Sequence, residues 1–171
     1  MTAVTSKAEL LEALRASRDV VVEIVRRVPV ERLEEGRYER GWNGRQILAH
    51  IASIEWTYPR LIDIAREAPA VDRVHSSAET RRELPTRTMR GGNDAYNDRQ
   101  VAKRAHFSVA DLLAEFERNR ATTIAAVDAA DDELFSRHIR SAGGIVGPLA
   151  TVFHQVAVVH VVGHARDIAG A

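Results

Sequence analysis

Helical periodicity, repeated four times with no competing strand pattern, most constrains how this chain can fold. The first run opens at Ser6, where Ser6-Lys7-Ala8-Glu9 has capping-box spacing. In such a box the hydroxyl and the carboxylate each satisfy an N–H group that the first helical turn leaves orphaned. Leu10, Leu14, Val21, Ile24, Val25 and Val28 follow at helical spacing until Pro29 stops the run. Gly36 and Gly41 frame a loop before a second pattern begins at Asn43, with Gln46 as its box partner. Its stripe carries Ile47, Leu48, Ile51, Ile54, Leu61, Ile62 and Ala65, and it is expected to end near Glu67, ahead of Pro69. Pro59 lies inside it and predicts a kink, because proline lacks an N–H and clashes with the carbonyl four residues back.

The third pattern starts at Asn93, is re-capped at Ser108 with Asp111 three residues on, and continues through Leu112, Leu113, Phe116, Ile124 and Val127 to about Ala129. The fourth begins at Pro148, a residue suited to the first helical position, and runs to about Ile168. β-Branched residues are frequent from Val156 to Val162, but the polar residues there recur every three or four positions rather than every two, which favours helix over strand. Between these runs, residues 69–92 read as an irregular, mobile loop with at most a short helix, and Asp131–Gly147 as a connection turned at Gly143, Gly144 and Gly147. Four long amphipathic helices imply an all-α four-helix bundle. A length of 171 residues suits a single domain spanning 1–171.

Charge and composition exclude several functions. With 24 basic and 24 acidic side chains the formal net charge is zero, so neither general nucleic-acid binding nor a polybasic membrane contact is expected. A chain that is 45% hydrophobic and 28% charged is globular rather than disordered. No apolar h-region opens the chain and no stretch approaches the length of a membrane span, so a cytoplasmic protein is expected. Cysteine is absent, which removes disulfides, thiolate ligands and a cysteine nucleophile together.

Seven histidines are the chemical resource of the chain. His160 and His164 stand four apart on the last helix, so their rings share one face a turn apart, where they can converge on one metal ion. They sit in the most apolar run of the chain. Burying two imidazoles together without a shared partner desolvates both, and a divalent cation relieves that. His50, between Ile47 and Ile51 on the second helix, is the best third ligand, although a lone histidine among apolar residues also suits simple core packing. Three histidines from two helices would leave coordination positions open, the mark of a catalytic rather than a structural site. His154, about 9 Å along the axis and about 120° around it from His160, reads as a neighbour or a packing residue. His75, His106 and His138 lie in polar contexts and read as solvated. Glu55 and Asp167 are either outer partners of an imidazole or surface charges. Arg166 is a surface charge or a carboxylate holder, and Trp42 and Trp56 either pack the core or line the site entrance. The chain has no GxSxG, no GxxxxGK[ST] and no HExxH motif.

The segments WNGRQILAH (Trp42–His50) and HVVGHARDI (His160–Ile168), with NDAYNDRQVAKRAHFSVADLLAEFERNR between them, resemble the DinB-like superfamily of helical-bundle metalloproteins along nearly the whole chain. The resemblance implies an up-down-down-up four-helix bundle, often a homodimer, with His50, His160 and His164 holding a divalent metal such as nickel or zinc. Many members carry a glutamine where this chain has Asp167. Characterised members include transferases and isomerases that use mycothiol, bacillithiol or glutathione. The expected function is therefore a metal-dependent, thiol-using S-transferase or isomerase acting on a small electrophilic molecule. The alternatives are a metal-dependent hydrolase and a non-enzymatic, metal-stabilised binding or stress-response protein.

Overall fold

The computed structural model describes residues 4–35, 41–68 and 91–170. The irregular stretch 69–90, with His75, and the loop at Gly36 lie outside the described residues. Helix α1 (Lys7–Arg27) starts as the sequence predicts: the Glu9 backbone N–H donates to the Ser6 hydroxyl, and the Ser6 N–H donates to the Glu9 carboxylate at 3.1 Å. The hydrogen bonds that hold this carboxylate also lower its pKa. Leu10, Leu14 and Val21 are fully buried on one face of α1. After Pro29 comes a single unanticipated turn, α2 (Val30–Leu33), whose buried Leu33 packs against Gly44.

Helix α3 (Gly44–Glu55) is capped by Asn43 and Gln46. Pro59 does more than kink the second helix. Residues 56–59 form turns with Thr57 N–H bonded to the Ile54 carbonyl and Tyr58 N–H to that of Glu55, and a separate α4 (Arg60–Glu67) follows. Helix α5 (Gly92–Lys103) begins one residue earlier than expected, after Gly91 in a left-handed conformation at φ 80°. Helix α6 (Val109–Ala129) carries the Ser108–Asp111 box. A part-buried Arg104–Glu115 ion pair joins α5 to α6.

The connection from Asp131 to Gly147 is more ordered than the sequence suggests. A 3-10 turn (Asp132–Ser136) leads into a two-stranded antiparallel hairpin, β1 (His138–Arg140) and β2 (Val146–Pro148), with Ile139 opposite Gly147. Strands of three residues are too short to show a period of two, while the positive φ of Gly144 closes the turn.

Pro148 stands at the cap, one residue before the first helical position. The last helix then runs as α7 (Leu149–His154), a π-helical turn (Gln155–Val159) and α8 (His160–Ala169). Helices α1 and α3 each pack against both α6 and the last helix. The chain is a four-helix bundle with up-down-down-up topology. Its core contains the fully buried Phe116, Phe153, Leu48 and Leu149. Among the described residues, no helix is long and apolar enough to cross a membrane.

Candidate metal centre

The fold brings the three predicted histidines together. His50 on α3 is 3% exposed, and its ring lies 5.3 Å from the buried Trp42 ring, centre to centre. The ring centres of His160 and His164, in the first turns of α8, lie 5.6 and 5.2 Å from that of His50 and 4.5 Å from each other. One ligand nitrogen of each histidine falls within 4.8 Å of those of the other two. Nε2 of His160 and Nε2 of His164 lie 3.0 Å apart.

What the other ring nitrogens do decides how to read that short distance. His164 Nδ1 meets the Asp167 carboxylate at 3.3 Å, so Asp167 is an outer partner rather than an idle surface charge. The π turn provides for His160. In an α-helix the His160 backbone N–H would bond to the Val156 carbonyl; here it bonds to that of Gln155, five residues back. The Val156 backbone meets the His160 imidazole instead. In the tautomer that carries the proton on Nδ1 of both rings, each Nε2 keeps its lone pair and the two lone pairs face one another, as ligation of one ion requires. Burial, then the neighbouring His164, lowers the His160 pKa to about 4, against the lesser opposing pull of the Val156 backbone. The ring is therefore neutral at pH 7. It is nonetheless reached by solvent, because it lines an open cavity. Metal–imidazole bonds of about 2.0–2.1 Å bring neighbouring ligand nitrogens to about 3 Å from one another, so the donor set fits a divalent ion.

The remaining histidines stay apart from this cluster. His154 is buried, and burial lowers its pKa. His106 is exposed, as expected, whereas His138 is half-buried on β1 rather than solvated. Arg166 is exposed. Trp42 packs in the core, but Trp56 is 41% exposed, and its Nε1 donates to the Tyr96 hydroxyl at 3.0 Å.

Glu55 holds no imidazole and is no surface charge. It is fully buried, and so is Arg120 of α6, which sequence reasoning missed. Arg120 Nε lies 2.7 Å from Glu55 Oε1, and its Nη2 donates to Glu55 Oε2 at 2.9 Å and to the Ala157 carbonyl at 2.7 Å. Its Nη1 donates to the Ser17 hydroxyl at 2.7 Å and the Leu14 carbonyl at 3.2 Å. One guanidinium thus joins α1, α3 and the π turn that frees the Val156 carbonyl for His160. Burial raises the Glu55 pKa, with the Arg120 charge pulling against it. The signal was present in the sequence. Arg120 falls on the stripe of Leu113, Phe116, Thr123 and Val127, where a charge can be buried only with a partner.

A cavity of about 300 Å³ opens beside the cluster, lined by His50 and His160 among others. Ile54, Leu61 and Ile64 give it apolar walls, the turn of the β1–β2 hairpin borders it, and Asn93, Tyr96 and Asn97 of α5 add polar groups. The Asn93 side-chain amide donates to the Ala142 carbonyl at 3.1 Å and fixes the hairpin to α5.

An up-down-down-up bundle with three histidines converging beside an open cavity defines a class of helical proteins built around an inter-helix, imidazole-only ligand cluster. Residues 13–168 match the DinB superfamily, and the chain belongs to that family. The fold is similar to that of the mycothiol-dependent maleylpyruvate isomerase, with a TM-score of 0.68 and 17% identity over 98% of this chain and 63% of that one. The chain therefore spans less than two thirds of the isomerase's length. It is also similar to YfiT from Bacillus subtilis, described as a probable metal-dependent hydrolase with an unusual four-helix bundle topology. That comparison gives a TM-score of 0.59 and 16% identity, covering 96% of this chain and 86% of YfiT. At such identities the likeness is one of fold. No curated protein sequence matches the chain significantly.

Proposed function

We propose that the protein is a metal-dependent enzyme in which His50, His160 and His164 hold a divalent ion, nickel or zinc by the family resemblance, and which works with a borrowed low-molecular-weight thiol such as mycothiol or bacillithiol. Its reaction is S-transfer or isomerisation of a small electrophilic molecule. The observation that carries this reading is the pair of Nε2 atoms 3.0 Å apart, each on a ring whose other nitrogen is engaged. Three protein ligands leave room for an exchangeable fourth on the cavity side. A divalent ion bound there supplies Lewis acidity, lowering the pKa of a coordinated thiol or water. The chain contributes the rest: Asp167 and the π turn orient the two rings of α8, and Ile54, Leu61 and Ile64 give the reacting face an apolar wall. With no cysteine in the chain, the reacting sulfur has to come from a small molecule. The likeness to a mycothiol-dependent isomerase supports the reading.

Metal-assisted hydrolysis is the second reading, favoured by the likeness to YfiT, which this chain covers over most of its length. The experiment supplies metal-loaded protein first with thiols and a halonitroarene electrophile, then with esters and amides. Thiol-dependent turnover supports the proposal, whereas turnover of esters or amides without thiol replaces it with hydrolysis. Absence of both, together with a large thermal destabilisation on chelation, identifies a metal-stabilised binding protein.

A further inference from the structure

The cavity beside the histidines has a charge character that the imidazoles do not explain. Among its described lining residues there is no Asp, Glu or Lys; the one permanently charged side chain is Arg60, at the start of α4. Its guanidinium lies 4.4 Å from the centre of the Trp56 ring, and among the described residues no carboxylate pairs with it. Trp56 is itself held by its hydrogen bond to Tyr96 of α5, so the cation rests on a platform anchored from two helices. Stacking of this kind occupies the face of the guanidinium and leaves its edge N–H groups, which form a planar fork matched to a carboxylate, available. Next to it stand the apolar side chains of Ile54, Leu61 and Ile64. At about 300 Å³ the cavity is at the small end of ligand pockets, which run from about 300 to 1,000 Å³.

We propose that Arg60 on its Trp56 platform is the anion-recognition subsite of this cavity, so that its ligand is a small amphipathic monoanion, with a carboxylate or equivalent oxyanion on Arg60 and an apolar body along Ile54, Leu61 and Ile64. The inference deepens the proposed function, since His50 and His160 line the same cavity and the reacting end of the ligand would face them. It does not require the metal: the charge selection comes from Arg60.

The test compares octanoate with octanamide, which share chain length and differ in charge. Binding of each to the full chain is measured by calorimetry and by tryptophan emission, on protein as purified and again in the presence of a chelator. Octanoate is expected to bind about 10-fold or more tightly than octanamide under both conditions, the worth of a charge-assisted hydrogen bond. Arg60→Gln is expected to abolish that preference, and Arg60→Lys, which keeps the charge but not the fork, to retain part of it. Equal binding of the two compounds, no binding of either, or a preference that survives Arg60→Gln overturns the proposal. The chelated arm separates it from the metal reading. If the histidines bind no ion, the octanoate preference still decides the role of Arg60; if Arg60 proves idle, metal content is unaffected.

Discussion

Replacing Arg120 by methionine removes the partner charge of a fully buried carboxylate and strips hydrogen bonds from Ser17, Leu14 and the π turn at Ala157. Breaking a buried ion pair from one side costs about 3–5 kcal/mol, because the survivor is left uncompensated in a low-dielectric interior. For a chain of 171 residues that corresponds to a fall in Tm of roughly 6–20 °C. Urea and thermal melts of the metal-free protein measure it. The double variant Glu55→Leu with Arg120→Met removes both charges and is expected to melt well above the single variant. It should still fall short of wild type, because the carbonyls of Leu14 and Ala157 have lost their donor. With that donor gone from the π turn, its cobalt affinity should also stay below wild type. An Arg120→Met protein within about 1 kcal/mol of wild type would refute the reasoning. So would a double variant no more stable than the single one, since the cost would then not come from the stranded Glu55 charge.

Three further outcomes follow from the histidine cluster. Asp167→Asn should weaken metal binding by about 10-fold or less, the low end for an outer partner, because its contact with His164 is long at 3.3 Å and half-exposed; competition with a chromophoric chelator reads this. For the metal-free protein, the depressed His160 pKa means that the unfolded chain binds a proton that the folded chain refuses. Stability is therefore whole above about pH 6.5 and is lost as the pH falls toward about 4. Melts across that range should show the loss, and His160→Gln should flatten it. Removing the metal should lower Tm in wild type and leave it unchanged in a His160→Ala, His164→Ala variant.

Much of this architecture could be read from the chain before its coordinates. The three capping boxes, at Ser6, Asn43 and Ser108, are local chemistry and formed as written. The convergence of His160 and His164 follows from helical spacing alone. That of His50 rested on its place mid-stripe and on the family resemblance. The features that escaped detection depend on long-range partners. Glu55 and Arg120 are 65 residues apart, and neither explains itself without the other. The π turn has no signature of its own among β-branched residues, yet Arg120 bonds to its Ala157 carbonyl. The β1–β2 hairpin is too brief to alternate, and its buried Ile139 looks like any loop hydrophobe until the core is assembled. Pro59 marks a disturbance in the sequence, but the break it makes puts Trp56 on the surface and Arg60 beside the cavity, which periodicity does not foresee.

The most direct measurement is a cobalt(II) titration of the purified chain, followed by its visible absorption and checked by elemental analysis. One ion per chain, with an imidazole-type spectrum that is lost in His50→Ala, His160→Ala and His164→Ala alike, is the predicted result. Absence of binding, or binding undiminished by His160→Ala, would contradict it.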